Sequence, residues 1–202
     1  MAKLCCQMMH RPLHLQKMCN LLWEELPDYV VISDVKYPVW TSFKNWVQIL
    51  ILAEEKGFSD GHAVAKMLKL CYKEKLPKNI VSAILGIIAF LNGDTEFSVS
   101  SGKKSAQKVF SFNQDASVIY STFYEKYGID LSDTDMHWYK FCALFENLAD
   151  DNPFRTLIRI RTMDDNEIKN SKVSRQVREL KSKYSLKNKT EVDVAEGLAC
   201  LF

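Results

Sequence analysis

Along most of this chain apolar residues recur at intervals of three and four, the spacing that puts them on one face of an α-helix. The exception comes early. Tyr29–Trp40 reads YVVISDVKYPVW, two β-branched and aromatic runs around Ser33-Asp34, which predicts a short hairpin with Pro38 confining the second strand to an edge. Ser42 can cap the helix that follows, in which Phe43, Trp46, Val47 and Leu50 recur at i, i+3, i+4 and i+7. The run Ile49-Leu50-Ile51-Leu52 widens that stripe, so this helix is expected to be buried on more than one side. Gly57 ends it. Ser59 or Asp60 caps a second helix with the stripe Val64, Met67, Leu68 and Cys71. Pro77 suits the first turn of a third, which runs through Ile80, Ile84, Ile87, Ile88 and Leu91 and stops at Asn92-Gly93.

Residues 93–108 break the periodicity with glycine, serine and lysine and read as a flexible connection. Asn113 can cap a helix with Ala116, Ile119, Tyr120, Phe123 and Tyr127 on one face, and Gly128 suits the left-handed position after its end. Ser132–Asp135 is a capping cluster for the next helix, whose stripe is Trp138, Phe141, Cys142, Phe145 and Leu148. His137 and Tyr139 fall about 100° to either side of that stripe. Pro153 opens a short helix through Phe154, Leu157, Ile158 and Ile160. A last helix starts near Asp164 or Asp165, with Val173, Val177, Leu180 and Tyr184 forming a narrow seam suited to one neighbouring helix. The expected fold is therefore mainly α, multi-helix and bundle-like, with one short N-terminal β-hairpin. Its divisions are an extension at 1–17 expected to be disordered, a hairpin and three helices at 18–92, the connection at 93–108, a helical half at 109–163, and a basic helix and tail at 164–202.

Composition adds exclusions. Of 202 residues, 47% are hydrophobic and 26% charged, ordinary values for a soluble chain, and seven glycines with five prolines disfavour a turn-rich all-β fold. Net charge is +2, too near neutral for global attraction to nucleic acid or membrane. The longest apolar run, Ala83–Leu91, has nine residues, whereas a membrane-spanning helix needs about 20. Cys5, Cys6, Cys19, Cys71, Cys142 and Cys200 include no CxxC pair and read as reduced thiols.

Three constellations invite chemistry. His137-Trp138-Tyr139 lacks a serine or cysteine nucleophile nearby, so the histidine reads as part of core packing with one edge exposed. Cys5, Cys6, His10 and His14 have the ligand types for zinc, but adjacent cysteines chelate poorly together and Pro12 separates the histidines. Lys169, Lys172, Arg175, Arg178, Lys181, Lys183, Lys187 and Lys189 share a window with Glu179 as its only acid, a pattern that suits nucleic acid or an acidic partner. No phosphate-binding, dinucleotide-binding, nucleophile-elbow or HExxH motif is present, so neither an enzyme nor a cofactor is expected.

The ordered blocks Leu21–Leu52 and Phe110–Asp164 resemble the bacteriophage gene-product-fifteen family. The resemblance rests on the hairpin leading into an aromatic helix and on Ile119-Tyr120, Phe123 and Tyr127–Leu131. It rests also on the helix of His137-Trp138, Lys140-Phe141, Ala143–Phe145 and Leu148, and on Ile158, Arg159, Arg161 and Met163. Members usually begin near Met18. Where relatives often carry a tryptophan and an arginine, this chain has Tyr139 and Cys142.

The resemblance implies a non-enzymatic tail-assembly chaperone of siphophages and prophages, acting in the cytoplasm of the bacterial host and absent from the mature virion. Its partners would be the tape measure protein and the major tail protein, with further copies of itself as another expected partner. Two other readings are a nucleic-acid-binding regulator using the basic helix and a structural tail component. Trp46, Tyr120, Phe123, Trp138, Phe141 and Phe145 are expected to hold the core. Lys172, Val173, Arg175, Val177, Arg178, Leu180, Lys181 and Tyr184 are expected to meet the partner.

Overall fold

Ser33 and Asp34 take positive φ values of 50° and 62°, as a two-residue hairpin turn requires if its twist is to match the flanking strands. They join β1 (Tyr29–Ile32) to β2 (Val35–Pro38), paired antiparallel from Tyr29 opposite Pro38 to Ile32 opposite Val35. The structure, a computed structural model, describes residues 20–93, 109–148, 151–163 and 171–186, the side chains of 171–174 excepted. The extension at 1–17, the Cys5, Cys6, His10 and His14 group, residues 94–108 of the connection, the helix start at Asp164 or Asp165, the side chains of Lys172 and Val173, and the tail beyond 186 lie outside the described residues.

Seven helices follow the hairpin among the described residues. They are α1 (Phe43–Lys56), α2 (Gly61–Cys71), α3 (Ile80–Leu91), α4 (Ala116–Tyr127), α5 (Trp138–Glu146), α6 (Pro153–Thr162) and α7 (Ser171–Tyr184). The fold is thus mainly α with one N-terminal hairpin. Gly128, at φ 65° and ψ 17°, ends α4 in the left-handed conformation that glycine adopts without strain.

Several caps differ from the sequence expectation. Asp60 does cap α2, accepting from the N–H groups of His62 and Ala63 at 2.9 and 3.1 Å. Those bonds favour its charged form and lower its pKa. Ser42 precedes α1 but its hydroxyl donates across the fold to Asp135 at 2.6 Å, so it caps nothing. Pro77 lies outside α3, which is capped by Asn79 through the N–H groups of Val81 and Ser82. Asn113 reaches Glu55 instead of capping, and Asp115 holds the position before α4. The Ser132–Asp135 cluster gives way to His137 at the start of α5.

An extended strap, Val39–Phe43, is pinned on both sides. Trp40 N–H donates to Cys71 O at 2.7 Å and Lys73 N–H to Pro38 O at 3.1 Å, while Phe43 N–H donates to Met136 O at 2.9 Å and Trp138 N–H to Thr41 O at 2.7 Å. The strap carries α1 into the middle of the molecule, where Trp46 is fully buried and stacks on Phe90 with centroids 4.5 Å apart. Phe43 stacks on Phe141 at 4.8 Å, and Phe141 on Phe123 at 5.3 Å. Helices from both sides of residues 93–108 therefore share one core.

Five of the six expected core aromatics, Trp46, Phe123, Trp138, Phe141 and Phe145, are buried. Tyr120 is 37% exposed. The buried face of α4 centres on Ile119, Thr122 and Phe123, and a residue after Ile119 turns about 100° away from it. Thr122 can be buried because its hydroxyl donates to Val118 O at 2.7 Å.

Gly86 is where α3 crosses the hairpin. A Cβ there would lie 2.5 Å from Tyr72 Oη, 3.0 Å from Ile32 Cδ1 and 3.3 Å from Val30 Cγ2. Tyr72 Oη cannot withdraw cheaply, because it is buried and donates to Ala83 O at 2.7 Å. Gly86→Ala is therefore expected to lower stability by about 1–2 kcal/mol net of its gain in helix propensity, read from the urea midpoint.

Candidate partner-binding surface

α6 begins at Asn152, whose carboxamide accepts from Arg155 N–H at 2.8 Å, with Pro153 in its first turn. Near its end Arg161 turns inward and joins three parts of the chain. Its Nη1 and Nη2 donate to the two oxygens of Asp115 at 2.6 and 2.8 Å, Nη1 also to Val109 O at 3.1 Å, and Nε to Tyr184 O at 2.7 Å. The side chains of Arg161 and Asp115 are 10% and 5% exposed. Asp115 also accepts from Ser111 N–H at 2.9 Å. This bidentate pair anchors the start of α4 and fastens the end of α7 to α6. No sequence periodicity signals it, since the pair spans 46 residues.

α7 packs against α6. Val177 and Lys181 are half-buried, whereas Leu180 and Tyr184 are 40% and 36% exposed. The seam expected to meet a partner is thus partly taken up by a helix of the same chain, with Leu180 and Tyr184 left at its open edge. Arg175 and Arg178 are exposed, and Arg175 donates to Glu179 at 3.1 Å. Lys183 Nζ lies 5.3 Å from the centre of the Tyr184 ring.

Other exposed apolar side chains escaped the periodicity. Leu22 and Trp23, 93% and 75% exposed, sit on a turn closed by Asn20 N–H donating to Glu24 at 2.7 Å and Leu22 N–H to the Asn20 side chain at 3.0 Å. On α4, Tyr124 is 57% exposed beside Tyr120. The signal for these two was legible, because Ala116–Tyr124 contains no charged residue, yet helical spacing alone assigned Tyr120 to the core.

His137 is a structural group. Its Nδ1 accepts from Tyr139 N–H at 3.1 Å, capping α5, and its Nε2 lies 3.1 Å from Pro27 O. That arrangement is the neutral Nε2–H tautomer, donating to Pro27. Burial lowers its pKa below the ordinary 6.5, opposed by the Pro27 carbonyl, reinforced by Lys140 and opposed by Asp28. The unfolded chain therefore binds the proton more tightly, and stability present above about pH 6.5 is lost as pH falls through the folded-state value. The melting temperature is expected to drop from about pH 7.5 to about pH 5.5 more in the wild type than in His137→Asn, which keeps a cap but does not titrate.

Cys71 and Cys142 are buried free thiols whose pKa values burial pushes up, the reverse of an activated nucleophile. No helix among the described residues is long and apolar enough to cross a membrane. The family model described as Bacteriophage Gp15 protein matches residues 22–186. No curated protein and no solved structure matches the chain.

Proposed function

Because the chain belongs to the bacteriophage Gp15 protein family, we propose that it serves as a non-enzymatic tail-assembly chaperone that binds the tape measure protein and helps bring tail-tube subunits to it. It would act in the host cytoplasm and be absent from the finished particle. The observation that favours this reading is α7, a basic helix held to the body along one side, with Leu180 and Tyr184 at its open edge. A tape measure is a long helix-rich chain, and apolar stripes exposed on such a chain promote aggregation unless covered. A basic amphipathic helix with exposed apolar residues can cover such a stripe, helix against helix.

Co-expression with the long reading frame encoded just downstream tests the proposal. A soluble complex with several copies per tape measure, stable from about 0.15 to about 0.5 M salt, supports it and assigns the contact to apolar burial. Deletion of residues 165–202 is expected to leave a folded protein that no longer keeps the tape measure soluble. If the deletion binds normally, α7 is not the contact. An insoluble tape measure, with nucleic acid eluting alongside the protein only at low salt, favours the regulator reading instead.

A further inference from the structure

Most of the outer face of α4 lacks the charge that a helix surface facing water ordinarily carries, exposed Glu125 lying about 40° beyond Ser121. Ser117, Tyr120, Ser121 and Tyr124 are exposed and fall within an arc of about 100°. No charged residue occurs from Ala116 to Tyr124. A solvated helix face is normally charged, whereas the centre of a protein interface is depleted in charge and enriched in tyrosine. Tyrosine with serine is also the composition of binding surfaces that combine rigid contact area with adaptable hydrogen bonding.

The patch is ordered before any partner arrives. The Tyr120 and Tyr124 rings lie nearly parallel, 15° apart in plane with centroids at 6.3 Å. Asp130, whose carboxylate raises the pKa of the neighbouring Tyr120 hydroxyl, is itself held by the backbone N–H and hydroxyl of Ser132 at 2.8 and 2.6 Å. Asp130 and exposed Asp133 give the rim next to Tyr120 more acid than base, with Lys44 Nζ donating to Ser132 O between them at 2.6 Å. An occupant should therefore be basic and offer apolar side chains of its own.

That chemistry is present on this chain. α7 exposes Leu180 and Tyr184 with Lys183 on the adjoining side of the helix, and Glu179 is the only acid from Ser171 to Leu186. We propose that the Ser117, Tyr120, Ser121 and Tyr124 face, with Asp130 and Asp133 at its rim, is a self-association surface that receives α7 of a second copy of this chain. On the chaperone reading, on which this step alone rests, a neighbouring copy shelters Leu180 and Tyr184 until the tape measure displaces it.

Sedimentation velocity on the full chain alone, from about 1 to about 100 µM and at about 0.05 and about 0.5 M salt, tests the surface without the tape measure. The wild type is expected to associate with rising concentration, more weakly at the higher salt. Tyr120→Ala with Tyr124→Ala is expected to weaken association at least about tenfold. Asp133→Lys alone, and Lys183→Glu alone, are each expected to weaken it too, and mixing those two charge variants should restore association between them. Circular dichroism confirms that each variant folds. A wild type monomeric at about 100 µM, tyrosine variants that associate like the wild type, or charge variants that do not complement one another would each overturn the proposal. None of those results bears on whether the chain binds a tape measure.

Discussion

Arg161→Ala is expected to destabilise the protein by about 3–5 kcal/mol, the usual consequence of removing one partner of a buried ion pair. The substitution reduces three charge-assisted contacts of the Asp115 carboxylate, 5% exposed, to one, the hydrogen bond from Ser111 N–H at 2.9 Å. It also withdraws donors from the carbonyls of Val109 and Tyr184. For a domain whose whole stability is about 5–15 kcal/mol, that is a large share. Arg161→Lys is expected to recover little, because an ammonium cannot meet both Asp115 oxygens and Tyr184 O in the fork geometry of a guanidinium. Urea unfolding gives the size of the loss. Hydrogen exchange across 171–186 gives its place, since Arg161 fastens the end of α7. Unchanged protection there would separate Arg161 from the positioning of that helix.

Phe141→Ala is expected to cost a similar amount, about 3–5 kcal/mol, by a different route. Phe141 is 1% exposed, and its ring lies 4.8 Å from that of Phe43, 5.3 Å from Phe123, 5.7 Å from Trp138 and 5.7 Å from Phe145. Those neighbours belong to helices on both sides of the connection, so the cavity cannot collapse without moving α1 and α4 together. Phe141→Leu, which fills much of the space, is expected to cost about 1–2 kcal/mol. Calorimetry should show one transition lowered as a whole in both variants. Two separated transitions would mean that the halves are stabilised independently.

What sequence made legible was local. The Ser33-Asp34 turn, the Asp60 cap and the Gly128 end each depend on a few neighbouring residues, and the structure shows all three. The stripes of α2 and α5 appeared because one side chain in every three or four must face the core. Where reading failed, a distant group had intervened. Ser42 gave up its cap to reach Asp135 and Asn113 gave up its own to reach Glu55, whereas the cap expected from Ser132–Asp135 passed locally to His137. Tyr139, off the apolar stripe, is nevertheless fully buried because Phe90 stacks on it at 4.8 Å. Helical spacing identified one face of α5 and gave no sign that Phe90 covers a second. The Arg161 and Asp115 pair lay beyond any local pattern, since each residue alone reads as a surface charge.

The strap has a consequence for how the chain matures. Ser42 meets Asp135 across 93 residues, and the same strap receives the start of α5. At a synthesis rate of about 5–20 residues per second, Phe43 and Trp46 leave the ribosome about 5–20 s before the segment that covers them. During that interval Phe90 of α3 can meet Trp46, but the side of Phe43 and Trp46 that α5 covers has nothing against it. The nascent chain is thus expected to be briefly a client for chaperones, and a truncation ending within residues 94–108 should accumulate as aggregate.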